Sequence, residues 1–309
     1  MTILLFPGQG SQKVGMTRDL AERFPVARET LELIDEALGT PLTQLMWEGP
    51  EDELTLTHNA QPAILAHSAA VLSVIRPALG EVVAAAGHSL GEYSAWVASG
   101  ALGAADAAVL VRRRGTLMYE AGRARPGAMA AVLGLGTAEV EAACAGASAQ
   151  GLGVAVAANQ NAPDQTVISG DPAAVERAGE LCKAAGAKRV LPLKVSGAFH
   201  SPLMEPAVPG LVEALGVAPF GTPTFPVVAN ATADFAHDTR EARQLLGEQL
   251  TAPVRWVESM RRLAGRWPEA RWLEIGPGSV LTGLLKRIAP EARCTPLGTV
   301  ADLDTFLAA

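Results

Sequence analysis

The segment Gly87-His88-Ser89-Leu90-Gly91 constrains this chain more than any other. The apolar run Val82-Val83-Ala84-Ala85-Ala86 precedes it and reads as a buried strand. Glu92-Tyr93-Ser94-Ala95-Trp96-Val97-Ala98 follows, with apolar residues at helical spacing. A serine at such a strand-to-helix turn is held in a tight backbone geometry, and glycines on either side let neighbouring chain come close. Its Oγ is pushed outward as a nucleophile. The next amide, on Leu90, lies at a helix N-terminus and is placed to stabilise a developing oxyanion. The plain alternative is a glycine-flanked turn with a serine N-cap.

The flanking pattern extends the argument to the fold. Ile3–Phe6 reads as a strand running into the glycine-rich loop Pro7-Gly8-Gln9-Gly10-Ser11, and Leu20–Leu38, Gln61–Leu79 and Ala104–Met118 have helical periodicity. Alternating strands and helices predict an α/β fold, with a hydrolase-like, mostly parallel sheet flanked by helices. The texture changes after Arg123. Strands at Met129–Leu133, Val154–Ala158, Thr166–Ser169 and Arg189–Leu193, with helices at Thr137–Ala145 and Pro172–Ala185, give the β-α-β-β-α-β order of a ferredoxin-like α+β unit. Strands at Phe225–Ala229 and Trp272–Ile275, with helices at Glu241–Leu250, Trp256–Leu263 and Val280–Ile288, then resume the first pattern. The small unit, 124–194, is therefore expected as an insertion into a large catalytic unit made of 1–123 and 195–309.

Composition excludes several function classes. Lys+Arg 25 against Asp+Glu 32 leaves a net charge of −7, which gives no general affinity for nucleic acid. No uncharged apolar stretch approaches the ~18 residues of a membrane span. Cys144, Cys182 and Cys294 are scattered, with no C-x-x-C pair, and read as reduced thiols of a cytoplasmic protein rather than as a disulfide or zinc framework.

A serine nucleophile needs a base. Of the five histidines, His88 lies inside the turn and should point away, His67 sits in an Ala-rich helix, and His58 and His237 have polar, loop-like contexts. His200, in Val195-Ser196-Gly197-Ala198-Phe199-His200-Ser201-Pro202, lies on an irregular segment returning to the main sheet. It is the best candidate, against the alternative of a structural loop histidine. Among Asp106, Asp164 and Asp171 no acid stands out to complete a triad. That favours a dyad, or a carbonyl that orients the histidine. Arg114, in Arg112-Arg113-Arg114, belongs either to a solvated face or to a buried fork that binds a carboxylate.

Six ordered segments together resemble the malonyl-CoA:acyl carrier protein transacylases of fatty-acid and polyketide synthesis. They are Phe6-Pro7-Gly8-Gln9-Gly10-Ser11-Gln12, Gly87–Ala95, Arg114-Gly115 with Met118, Gly197–Ser201, Gln249-Leu250 before Pro253-Val254, and Glu274–Gly278. The resemblance implies Ser89 as nucleophile and His200 as base, with Gln249 orienting His200 through a carbonyl. It implies the amides of Gln9 and Leu90 as the oxyanion hole and Arg114 as the receptor for the free malonyl carboxylate. Phe199 resembles members that take malonyl, where methylmalonyl-using relatives commonly show Ser-His. The implied partners are malonyl-CoA and phosphopantetheinylated acyl carrier protein, in a ping-pong transfer needing no metal or redox cofactor, by a standalone, monomeric enzyme. Two departures stand out: Ala198 replaces a common proline, which leaves that loop less restrained, and Tyr119 replaces a common glutamine. The rival readings are a serine esterase or thioesterase, which has no need of Arg114 or Gln249, and a non-catalytic carrier-binding subunit, which has no need of Ser89 and His200.

Overall fold

Alternate side chains of the first strand enter two different cores. Ile3 and Leu5 join Trp256, Trp272 and Leu285 on one face, while Leu4 and Phe6 join Leu65, Tyr93 and Leu273 on the other. A strand buried on both faces belongs inside a parallel sheet covered by helices. The computed structural model describes residues 1–308. Its strands are β1 (Thr2–Phe6), β2 (Val82–Gly87), β3 (Ala128–Leu133), β4 (Ala155–Ala162), β5 (Gln165–Gly170), β6 (Arg189–Pro192), β7 (Val227–Val228), β8 (Phe235–Ala236), β9 (Arg271–Ile275) and β10 (Cys294–Leu297). One sheet has the order β10-β9-β1-β2-β7-β8, parallel throughout except at the β7–β8 hairpin.

The other sheet is antiparallel, in the order β4-β5-β3-β6. With helices Thr137–Ser148 and Pro172–Ala184 between its strands, it has ferredoxin-like topology. A third core, including Val132, Val140, Ile168, Val175 and Cys182, lies under those helices. Irregular register in β4 carries its far edge to the larger sheet's side of the molecule. There Gln160 N–H donates to the Val254 carbonyl (2.9 Å) and Val254 N–H to the Ala158 carbonyl (2.8 Å).

Several elements differ from the sequence reading. The pattern Leu20–Leu38 is two helices, Arg18–Arg23 and Pro25–Leu38, because Phe24 precedes a proline and takes an extended conformation. The helix read from Gln61 starts at Thr57, so His58 is helical and not in a loop. Asp171 occupies the N-cap position of the helix Pro172–Ala184, yet its carboxylate makes no cap bond. It accepts instead from Val154 N–H (2.8 Å) and from the Arg125 guanidinium. Helices Leu42–Glu48, Glu51–Thr55, Val208–Val217 and Val300–Leu307 and strand β10 were not read from sequence. Among the described residues no helix is long and apolar enough to cross a membrane.

His67 is buried in the helix Thr57–Ile75, with Nε2 2.9 Å from the Gly298 carbonyl. Burial pushes its pKa down from 6.5 to about 4. The unfolded chain therefore takes up a proton below pH 6.5 that the folded chain refuses until about pH 4. The stabilisation is complete above that window and is lost as pH falls through it, by on the order of 3 kcal/mol in all. In denaturant titrations, His67→Gln should flatten the pH dependence of stability between neutrality and acid. An unchanged slope would show that this histidine does not sense the window.

Candidate active site

The strand-to-helix turn exists because its glycines have no side chains. A Cβ at Gly87 would fall on the Gly91 backbone, and a Cβ at Gly91 would fall on the Phe6 carbonyl. Between them Ser89 adopts φ 52°, the left-handed region, which costs a non-glycine residue roughly 1–2 kcal/mol. Hydrogen bonds on both sides hold it there. Ser89 N–H donates to Asn230 Oδ1 (2.7 Å), and its carbonyl accepts from Gln249 Nε2 (3.0 Å). Asn230 Nδ2 also donates to the Gly87 carbonyl (2.8 Å).

Ser89 Oγ lies 2.7 Å from Nε2 of His200, and His200 Nδ1 lies 3.0 Å from the backbone carbonyl of Gln249. A carbonyl only accepts, so Nδ1 carries the hydrogen and Nε2 offers its lone pair to the serine hydroxyl. The orienting group is thus the main chain of Gln249, and no carboxylate among the described residues is bonded to the ring. His200 is 4 % exposed. Burial, and next the Arg114 cation, push its pKa from 6.5 down to about 3. At Ala198 its loop is packed into the interior. That residue is wholly buried, a Cβ at Gly127 would strike it, and its carbonyl accepts from Ser201 Oγ (2.6 Å).

Arg114 is on the helix Ala104–Ala124 and is 1 % exposed, so the solvated-face alternative does not describe it. The following Gly115 allows this approach, since a Cβ there would meet the backbone of His58. The guanidinium donates through Nη1 to Gln61 Oε1 (2.6 Å) and through Nη2 to Gln249 Oε1 (2.9 Å) and to Ser89 Oγ (3.0 Å). It lies 5.5 Å from the centre of the Tyr93 ring. Its Nε–H has no acceptor among the described residues.

Ser89, His200 and Arg114 face one cavity of about 340 Å³, also lined by Gln9, Leu90 and Phe199. That is the small end of the range for small-molecule pockets. Gln9 is steadied by Thr57 Oγ1, which donates to its Oε1 (2.8 Å). The Leu90 amide stands one residue ahead of the helix Gly91–Ala98. His88 turns from the nucleophile toward Asn161 (Nε2 to Oδ1 2.8 Å), yet it also flanks the cavity. His58 packs edge-on against Tyr119, with ring centres 5.1 Å apart.

The sequence reading missed Gln61, Glu92 and Asn230 as members of this cluster. Glu92 Oε2 accepts from Gln249 Nε2 (2.7 Å) and from Asn230 N–H (2.9 Å), and burial raises its carboxyl to about 7. A signal for Asn230 was present. It is the polar residue directly after the apolar strand Val227–Val228 and Ala229, at the carboxyl end of a parallel strand, where such sheets place their sites.

The acyl transferase domain model matches residues 3–302. The chain is 46% identical over 284 residues to a Bacillus subtilis protein named malonyl CoA-acyl carrier protein transacylase, covering 92% of this chain and 89% of that one. A Vibrio cholerae acyl carrier protein S-malonyltransferase crystal structure superposes with a TM-score of 0.94 at 43% identity, covering 98% of this chain and 99% of the other. A malonyl-transacylase solved in complex with a type II PKS acyl-carrier protein superposes at 0.93, also at 43% identity, covering 99% of each chain.

Proposed function

This chain belongs to the acyl transferase family, and from that premise we propose that it moves malonyl from malonyl-CoA to the phosphopantetheine thiol of acyl carrier protein, through a malonyl-Ser89 intermediate. The names borne by its relatives support the substrate and the carrier. The observation that carries the reading is a single hydroxyl, Ser89 Oγ, within 2.7 Å of a neutral imidazole and 3.0 Å of a buried guanidinium. The first contact makes a nucleophile, and the second sets a carboxylate receptor beside it.

The chemistry runs in two mirrored halves. Ser89 Oγ attacks the thioester carbonyl while its proton passes to His200 Nε2. The negative oxygen that forms is met by the amides of Gln9 and Leu90. The tetrahedral adduct collapses, the C–S bond breaks, and His200 returns the proton to the departing coenzyme A sulfur. The carrier thiol then gives its proton to His200 and attacks malonyl-Ser89, and His200 returns that proton to Ser89 Oγ. The carbonyl of Gln249 holds the ring through both halves and bears on the imidazolium that each half creates. Phe199 walls the acyl cavity.

The same reading assigns the protein to the cytoplasm, as a monomer serving fatty-acid or polyketide assembly. It divides the chain into a catalytic unit, 1–123 with 195–309, and a smaller unit, 124–194, with the cavity between them. Its test is intact mass spectrometry after mixing with malonyl-CoA, followed by addition of holo carrier protein. One malonyl group should appear on the protein, map to the peptide bearing Ser89, and move to the carrier. Release of free malonate with no carrier product would assign a thioesterase instead.

A further inference from the structure

Two side chains hold the Ser89 backbone, and both converge on one oxygen atom. Asn230 takes the Ser89 N–H and Gln249 gives to the Ser89 carbonyl. Asn230 N–H and Gln249 Nε2 then both donate to Glu92 Oε2, at 2.9 and 2.7 Å. Glu92 is in the first turn of the helix Gly91–Ala98, is fully buried, and is not among the residues lining the active-site cavity. Its second oxygen, Oε1, has no partner among the described residues.

We infer that Glu92 is a positioning residue: its carboxylate anchors both brackets, keeping Ser89 in its left-handed conformation and the Gln249 amide oxygen turned to Arg114. The inference rests on the transacylase reading. A glutamine amide has one acceptor oxygen and two N–H donors, so its neighbours decide how it sits. Here Oε1 faces the Arg114 Nη2 donor, one N–H faces the Ser89 carbonyl, and the other faces Glu92. Glu92 Oε2 already accepts the Asn230 N–H, so the last position is an acceptor and excludes the reversed amide. The main-chain carbonyl of the same Gln249 holds His200. One buried carboxylate therefore reaches the nucleophile, the base and the arginine without touching a reacting atom. Among the described residues no carboxylate is bonded directly to the buried Arg114 cation, and the Glu92 carboxyl lies one residue away from it, across Gln249.

Glu92→Leu removes the acceptor, and Glu92→Gln keeps an acceptor oxygen without the charge. Glu92→Leu should slow malonylation of Ser89 by roughly 10–100-fold, the weight of one or two hydrogen bonds to a charged group. It should also lower the malonyl-to-acetyl selectivity by about tenfold or more, because Arg114 loses its fixed partner. Glu92→Gln should recover most of both losses. A purely structural glutamate would lower the melting temperature, or slow both acyl groups equally, and leave the selectivity unmoved. That result would overturn the role. If Glu92→Leu does not fold, NMR on the wild type decides. The Gln249 side-chain amide protons should show stronger contacts to Asn230 N–H than to the Arg114 guanidinium, and the reverse order would overturn the anchor. A wild type that takes no malonyl group overturns the transacylase reading and this inference with it. A wild type that labels beside a Glu92→Leu of unchanged selectivity overturns the role of Glu92 alone.

Discussion

His200→Ala is expected to slow acylation of Ser89 by malonyl-CoA by roughly 10²–10⁴-fold, the usual weight of general-base catalysis. The other four histidines are placed otherwise, His237 exposed beside Phe235. His88 is engaged with Asn161, His67 with Gly298, and His58 packs on Tyr119. Stopped-flow release of coenzyme A gives the rate, and a loss below about threefold would remove His200 from the mechanism. The burial that places the ring has a second consequence. With its pKa held down to about 3, first by burial and then by Arg114, His200 stays neutral where an ordinary histidine, at 6.5, is protonated. Its ring signals should therefore stay flat in an NMR titration from neutrality to about pH 5, far above the folded-state midpoint. A midpoint near 6.5 would mean that the ring is solvated and that the carbonyl of Gln249 does not hold it as described.

The parts of this site that sequence reveals are those whose constraints are local. Gly87 and Gly91 are required by backbone contacts within a few residues of Ser89 and at the end of β1, so the turn is readable from five letters and their flanks. Arg114-Gly115 is similarly compact, since the small residue explains how the helix comes close. Gln249 is different. It follows the amphipathic helix Thr239–Glu248, where an amide usually faces water, and its two functions use different atoms. The backbone holds His200 and the side chain ties Ser89 to Glu92 and Arg114. Spacing does not show which atom serves which partner. Glu92 stands in plain sight inside the nucleophile segment, but its burial depends on Asn230 and Gln249, each more than 130 residues away. The last strand was missed for a related reason. Cys294–Leu297 contains a proline and no alternation, and it becomes a strand by pairing at the sheet edge with β9.

Arg114→Ala is expected to lower the preference for malonyl over acetyl by several hundredfold. The guanidinium already has three protein acceptors, and its Nε–H has none. On the proposed reading a malonyl carboxylate gives this buried cation a charged acceptor and a countercharge, and acetyl gives it neither. Two charge-assisted bonds at about 1.5–3 kcal/mol each correspond to roughly 10²–10⁴ in relative rate. Arg114→Lys restores a charge without the planar fork and should recover only part of it. The same cation also depresses the basicity of His200, second only to burial. On the proposed reading a carboxylate bound to Arg114 would offset that effect, and acetyl would not. Removing the arginine should therefore raise the His200 midpoint while burial still keeps it below 6.5. Acetyl transfer then changes little or improves while malonyl transfer falls. Specificity constants for both thioesters, in wild type and variant, decide the matter. If the two fall by the same factor, Arg114 acts only by filling and bracing the site through Gln61 and Gln249. Recognition of the carboxylate would then have to reside elsewhere in the cavity.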